Sequence, residues 1–105
     1  MRLGSYKCRI KKNSLAFNSY RKNNINERHR HRYEFNNKYL NEFEKEGMIS
    51  SGFNERLGVV EIIELKNHPW FLGTQYHPEY KSTVLNPHPL FINFIKSIVK
   101  LKNGK

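Results

Sequence analysis

Residues 59–65 (VVEIIEL) constrain the fold more than any other part of this sequence. Runs of Val and Ile favour strands because branched side chains pack well on a pleated surface. A turn signal follows at residues 67–69 (NHP), and residues 70–76 (WFLGTQY) resume a β-type pattern. The sequence therefore predicts an antiparallel hairpin of two central, mostly buried strands.

Three further segments predict strands that extend this hairpin into a sheet. Residues 3–10 alternate apolar and polar residues in part, and residues 48–53 form a short β-type run. Residues 27–35 (ERHRHRYEF) alternate charged residues with histidines and then aromatics. A period of two is typical of an extended chain with one buried face.

Helical patterns occur at three places along the chain. Ser14 is a candidate N-cap for one short turn of helix. Asn37 is a candidate cap for a second helix that ends at Gly47, where glycine adopts a left-handed conformation without strain. Residues 89–101 place apolar residues at helical spacing after Pro89. We expect this last apolar stripe to pack on a sheet.

The chain is short and strongly basic. Its 105 residues allow one small domain or a part of a larger one, with a thin core in which we expect Trp70, Phe71 and Leu72. The formal net charge of +10 favours phosphate-bearing or acidic partners. No apolar run reaches the roughly 20 residues of a membrane span, so we expect a cytoplasmic location and no membrane partner.

His77 and Glu79 are the strongest candidates for catalysis. They follow a predicted strand and lie two residues apart, so both side chains point to one side if the chain stays extended. A carboxylate beside an imidazole fixes its tautomer, and the other ring nitrogen is then free to accept a proton. A strand-end histidine in a polar loop has the same pattern, and the residues alone leave both interpretations open.

A nucleophile is harder to find. Cys8 is the single cysteine, which excludes an internal disulfide framework. The neighbouring Lys7 and Arg9 could lower the pKa of its thiol. The sequence around Cys8 lacks the glycines of a nucleophile elbow, however, and we expect a half-buried structural thiol. His88 lies between two prolines and predicts only a turn before the last helix.

The basic segment at residues 28–32 (RHRHR) has several interpretations. It could bind nucleic acid or phosphate, with Tyr33 or Phe35 stacking on bases, or form a substrate-binding strand edge. It could also be a solvated basic strand. We expect no metal at His29 and His31, because no set of carboxylates or cysteines completes the ligands.

Five stretches together resemble one enzyme family. They are MRLGSYKC (1–8), ERHRHRYEFNN (27–37), VEIIELKNHPWF (60–71), QYHPEYKS (75–82) and HPLF (88–91). They are similar to the C-terminal part of the class I glutamine amidotransferase domain in the CTP synthase family. The resemblance implies an α/β fold, the C-terminal portion of a three-layer, flavodoxin-like domain with an incomplete sheet, formed by residues 1–105.

The resemblance also implies an activity. In this family a Cys-His-Glu triad hydrolyses glutamine, and the ammonia passes to a synthase domain that converts UTP into CTP with ATP. His77 matches the general base, Glu79 the orienting carboxylate and Arg32 a glutamine-binding position. Cys8 matches a non-catalytic position, while the nucleophilic cysteine and the synthase domain lie upstream of the matched segment. We therefore expect a ligase fragment that is inactive alone.

Expected partners and cofactors follow from the same resemblance. This chain is expected to hold no cofactor or metal, whereas ATP, Mg²⁺ and the activator GTP belong to the full enzyme, a homotetramer. L-glutamine and the missing N-terminal half with the synthase domain are the expected partners, and nucleic acid is not. A basic RNA- or phosphate-binding module and an inactive remnant stay open as alternatives. Alone, the chain should be poorly soluble or loosely folded because edges and apolar surface are exposed.

Overall fold

The computed structural model of the protein describes residues 2–31 and 34–103. The strands are β1 (Arg2–Ile10), β2 (Asn24–His31), β3 (Met48–Asn54), β4 (Val59–Leu65) and β5 (Leu72–Thr74). The α-helices are α1 (Leu15–Tyr20), α2 (Leu40–Lys45) and α3 (Pro89–Asn103), and 3-10 turns cover Asn37–Tyr39 and Pro78–Lys81. No helix in these ranges is long and apolar enough to cross a bilayer.

The strands form one five-stranded antiparallel sheet in the order β2-β1-β3-β4-β5. β1 pairs with β2 along its length, from Arg2 opposite His31 to Arg9 opposite Asn24. The described pairing of β1 with β3 is much shorter, with Arg9 opposite Phe53 and Ile10 opposite Gly52. The sheet therefore has two well-paired parts, β2-β1 and β3-β4-β5, that meet at a short seam.

Side-chain burial in β2 confirms the period-two pattern of the sequence. Burial alternates residue by residue, with Ile25, Glu27 and His29 buried between exposed neighbours. The strand ends at His31, earlier than the predicted segment of residues 27–35, and residues 34 and 35 are not in a strand. Residues 32 and 33 lie outside the described residues.

β5 is shorter and more peripheral than the prediction of a central strand over residues 70–76. It lies at the edge of the sheet and pairs with β4 on one side. The first residues of the predicted strand belong to the preceding turn, in which the Trp70 N–H donates to Nδ1 of His68 at 3.1 Å. Phe71 is 41% exposed, so its assignment to the core was wrong, whereas Trp70 packs partly buried against the core.

The two short helices begin close to the predicted caps. The Ser14 hydroxyl accepts the Phe17 N–H at 3.0 Å, which confirms the cap of α1. Before α2, the cap of the 3-10 turn is Asn36 rather than the predicted Asn37, because the Asn36 side chain accepts the N–H two residues on. Gly47 follows α2 with φ +95°, as the sequence predicted.

The core is small and lies between the sheet, α1 and the start of α3. Its buried members are Cys8, Ile10, Ala16, Ile25, Ile62, Tyr76 and Leu90. β3 and β4 approach each other closely there, since a Cβ at Gly52 would lie 2.4 Å from Cγ1 of Ile62. Glycine at position 52 thus allows Ile62 to be fully buried.

α3 leaves its apolar stripe largely exposed, which contradicts the expectation that the stripe packs on a sheet. Leu90 is 4% exposed, but the large apolar side chains that follow are 39–56% exposed. They are Phe91, Ile92, Phe94, Ile95, Ile98, Val99 and Leu101. α3 packs mainly on α1. With six residues, α1 is too short to cover the 15 residues of α3.

This exposed face predicts reversible self-association of the chain at high concentration. Replacing Ile95 and Val99 by Glu and Lys should shift the molecule toward monomer, because apolar patches of this kind drive association in water. Light scattering over a concentration series measures the effect. Val84→Lys is the control, since Val84 is 97% exposed but lies in a loop. An equal effect of the control would argue against an association through α3.

Candidate active site around His77 and Glu79

His77 and Glu79 form a hydrogen-bonded imidazole–carboxylate pair. Nδ1 of His77 lies 2.8 Å from Oε2 of Glu79, and the two side chains are 36% and 54% exposed. The hydrogen bond from His77 lowers the pKa of the Glu79 carboxyl below its usual value, so the carboxylate is the acceptor at neutral pH. In the neutral ring Nδ1 then carries the proton, and Nε2 is left with a lone pair.

A tight turn, rather than an extended segment, brings these two side chains together. His77 has φ −109° and ψ 89°, but a 3-10 turn begins directly after it. Pro78 occupies the first position of that turn, where its missing N–H costs no hydrogen bond. The predicted proximity is therefore present through different backbone geometry, and the catalytic roles stay a prediction.

Two contacts fix this segment beside β2, and a third orders the imidazole within the segment. The His77 N–H donates to the Arg28 carbonyl at 2.9 Å. At the other end of the turn, Nζ of Lys81 donates to the Asn26 carbonyl at 2.7 Å. The Tyr80 ring stacks on the His77 imidazole with centroids 4.8 Å apart and an interplanar angle of 18°. The imidazole is therefore held in both position and plane.

Cys8 has none of the properties of a nucleophile. Its side chain is fully buried. Burial raises the pKa of the thiol, and the negative charge of Glu61 raises it further. Since the thiolate is the reactive form, a buried neutral thiol cannot serve the imidazole of His77. The flanking Lys7 and Arg9 do not reverse this effect.

The basic segment divides between the two faces of β2. Arg28 and Arg30 are exposed, whereas His29 is buried and contacts Nε2 of His31 through its Nδ1 at 2.8 Å. Arg32, the predicted glutamine-binding residue, lies outside the described residues. Across residues 2–31 and 34–103, no group of three or more His, Cys, Asp or Glu side chains could hold a metal ion.

A second cluster of titratable side chains lies in the interior and was missed by sequence reasoning. Nε2 of His88 and the hydroxyl of Tyr20 each lie 2.5 Å from Oε2 of Glu27. The hydroxyls of Tyr20 and Tyr76 lie 2.9 Å apart. The strict alternation of β2 was the available signal, because it places Glu27 on the same side as buried Ile25.

Comparison with known proteins gives the family. Residues 1–97 match the sequence model of the class I glutamine amidotransferases. The chain belongs to the class I glutamine amidotransferase family. This confirms the family assignment made from the sequence motifs.

Individual relatives narrow the similarity to CTP synthases. The chain is 61% identical over 99 residues to the CTP synthase of Flavobacterium johnsoniae. This alignment covers 94% of the chain and 18% of that protein. It is 57% identical over 109 residues to the CTP synthase of Christiangramia forsetii, in an alignment that covers 100% of the chain and 20% of that protein. The amidotransferase chain thus spans about a fifth of the curated relatives it matches.

A solved structure confirms the fold class. The glutaminase domain of Trypanosoma brucei CTPS with bound acivicin superposes with a TM-score of 0.89 at 34% identity. The match covers 95% of this chain and 40% of that chain. The sheet and helices described above are therefore part of a class I amidotransferase fold.

The hydrogen bond within the pair predicts how Glu79 titrates. Because the folded pKa of Glu79 is lowered, the pair stabilises the fold above the unfolded pKa of about 4.3. That contribution is lost as the pH falls through the lowered folded value. His77→Ala should return the pKa of Glu79 toward about 4.3 in a carboxyl ¹³C NMR titration. His68→Ala is the control, and an unchanged pKa in His77→Ala would contradict the assigned hydrogen bond.

Proposed function

We propose that this chain is the part of a CTP synthase amidotransferase domain that supplies the general base for glutamine hydrolysis. The His77–Glu79 pair carries the proposal, because its imidazole is oriented by a carboxylate and has a lone pair on Nε2. Membership of the class I amidotransferase family supports this function. Arg32 is the proposed contact to L-glutamine.

The proposed chemistry follows from the state of each group. Nε2 of His77 takes the proton of a thiol nucleophile as the thiol attacks the glutamine side-chain amide. Glu79 stabilises the imidazolium that forms, and the imidazolium then protonates the amide nitrogen, which leaves as ammonia. Water hydrolyses the resulting thioester with the same imidazole as base. We infer that the thiol comes from outside this chain, since Cys8 is buried and protonated, and that the chain alone is inactive.

The larger reaction is part of the proposal. Ammonia released at this site would aminate UTP to CTP in an ATP- and Mg²⁺-dependent synthase domain, with GTP as activator and a homotetrameric, cytoplasmic enzyme. The names of the similar CTP synthases support this assignment. No residue of this chain is assigned to nucleotide or metal binding.

The exposed face of α3 supports a location within a larger protein. The solved glutaminase domain is longer than this chain, which matches 40% of it. A surface of half-exposed Phe, Ile, Val and Leu side chains is typical of an interface that another part of the protein covers. We propose that the remainder of the amidotransferase domain provides this cover.

The role of His77 is tested by substitution in the chain combined with the rest of the enzyme. His77→Ala should lower glutamine-dependent CTP formation by roughly 10⁶-fold, since loss of the histidine base of a catalytic triad has an effect of that order. Ammonia-dependent CTP formation should be unchanged, because free ammonia bypasses glutamine hydrolysis. The turn residue His68 supplies the control variant His68→Ala. Loss of both activities in His77→Ala would contradict the proposed role.

A further inference from the structure

The buried cluster of Tyr20, Glu27, Tyr76 and His88 has a defined direction of hydrogen bonding. Nδ1 of His88 accepts the Leu90 N–H at 3.1 Å, so the ring proton is on Nε2 and is donated to Oε2 of Glu27. Tyr20 gives its single hydroxyl proton to the same oxygen, so Tyr76 donates to Tyr20. Glu27 is therefore the terminal acceptor of the whole cluster.

Burial keeps the two tyrosine hydroxyls of this cluster protonated. Glu27 and His88 are 2% and 3% exposed. Burial raises the pKa of Tyr20 and of Tyr76 well above the usual value for a tyrosine, so both hydroxyls stay protonated. Buried hydrogen bonds to a carboxylate are stronger than neutral ones, because the acceptor is charged and water is excluded.

The cluster is connected to the His77–Glu79 pair by two routes. Along the chain, Tyr76 directly precedes His77. Across the fold, the backbone carbonyls on either side of Glu27 accept the His77 N–H at 2.9 Å and Nζ of Lys81 at 2.7 Å. A displacement of Glu27 would therefore move both ends of the turn that carries the pair.

We propose that Glu27 is a positioning residue for glutamine hydrolysis. As a buried acceptor, it joins α1 and the loop before α3 to β2 directly, and the segment after β5 through the hydroxyl of Tyr20. It thereby holds the imidazole of His77 against the Glu79 carboxylate. The expected effect of this positioning on glutamine hydrolysis rests on the proposed function. The positioning itself is a property of the 105-residue chain and can be measured without activity.

The test uses Glu27→Gln and the milder Tyr20→Phe, which removes only the hydroxyl that bridges Glu27 and Tyr76. NMR of the full chain measures two signals of the pair. One is the upfield ring-current shift that stacked Tyr80 imposes on the His77 ring protons. The other is the lowered pKa of Glu79. Both variants should reduce the ring-current shift and return the pKa of Glu79 toward its usual value.

Glu64→Gln is a matched control for loss of a buried carboxylate. Glu64 is also 2% exposed, but it accepts the N–H groups of Leu15 and Ala16 at 2.8 and 2.9 Å, at the opposite end of α1 from Tyr20. It should leave both NMR signals unchanged. Wild-type signals in Glu27→Gln and Tyr20→Phe would overturn the inference. An equal change in Glu64→Gln would overturn it as well, because the effect would then reflect general loss of stability.

Glutaminase kinetics in the completed enzyme separate this inference from the proposed function. We expect kcat in Glu27→Gln to fall by up to about 100-fold with little change in KM, because misplacement of a catalytic group affects the chemical step. Altered NMR signals with unchanged glutaminase activity would support the positioning by Glu27 and contradict the catalytic role of the pair. Unaltered NMR signals overturn the positioning whatever the activity.

Discussion

The ladder between β1 and β2 is the constraint on which the rest of the structure depends. Its register places Glu27 opposite Tyr6 and Ile25 opposite Cys8, so these side chains share the buried face. A slip of one residue would turn Glu27 outward and expose its carboxylate to water, because successive side chains of a strand alternate faces. It would also change which carbonyl of β2 meets the N–H of His77.

Buried carboxylates are used as structural acceptors throughout this small core. Glu64 accepts two backbone N–H groups at the start of α1, and Glu27 accepts side-chain donors from α1 and from the loop before α3. A buried charge is costly unless hydrogen bonds compensate for its lost hydration. The relative placement of these elements is thus specified by polar contacts as well as by the few apolar residues between them.

Local patterns explain which features could be predicted from the sequence. The alternation in β2, the Val and Ile run of β4 and the cap of α1 depend on neighbouring residues, and all were found. The contact of Glu27 with His88 joins residues 61 positions apart, which no periodicity reveals. Phe71 was misplaced because an apolar residue at a sheet edge has neighbours on one side only. For α3, the apolar stripe was visible, but a stripe does not identify the surface that covers it.

The short seam between β1 and β3 gives the His77 segment a mechanical role. Only at Arg9 and Ile10 does the described ladder join the two parts of the sheet. The chain leaving β5, at one outer edge, crosses to β2 at the other and binds there through the His77 N–H. This hydrogen bond connects the two outer edges of the sheet. Because this bond anchors the His77 segment, the position of the imidazole depends on both parts of the sheet and on the short pairing between them.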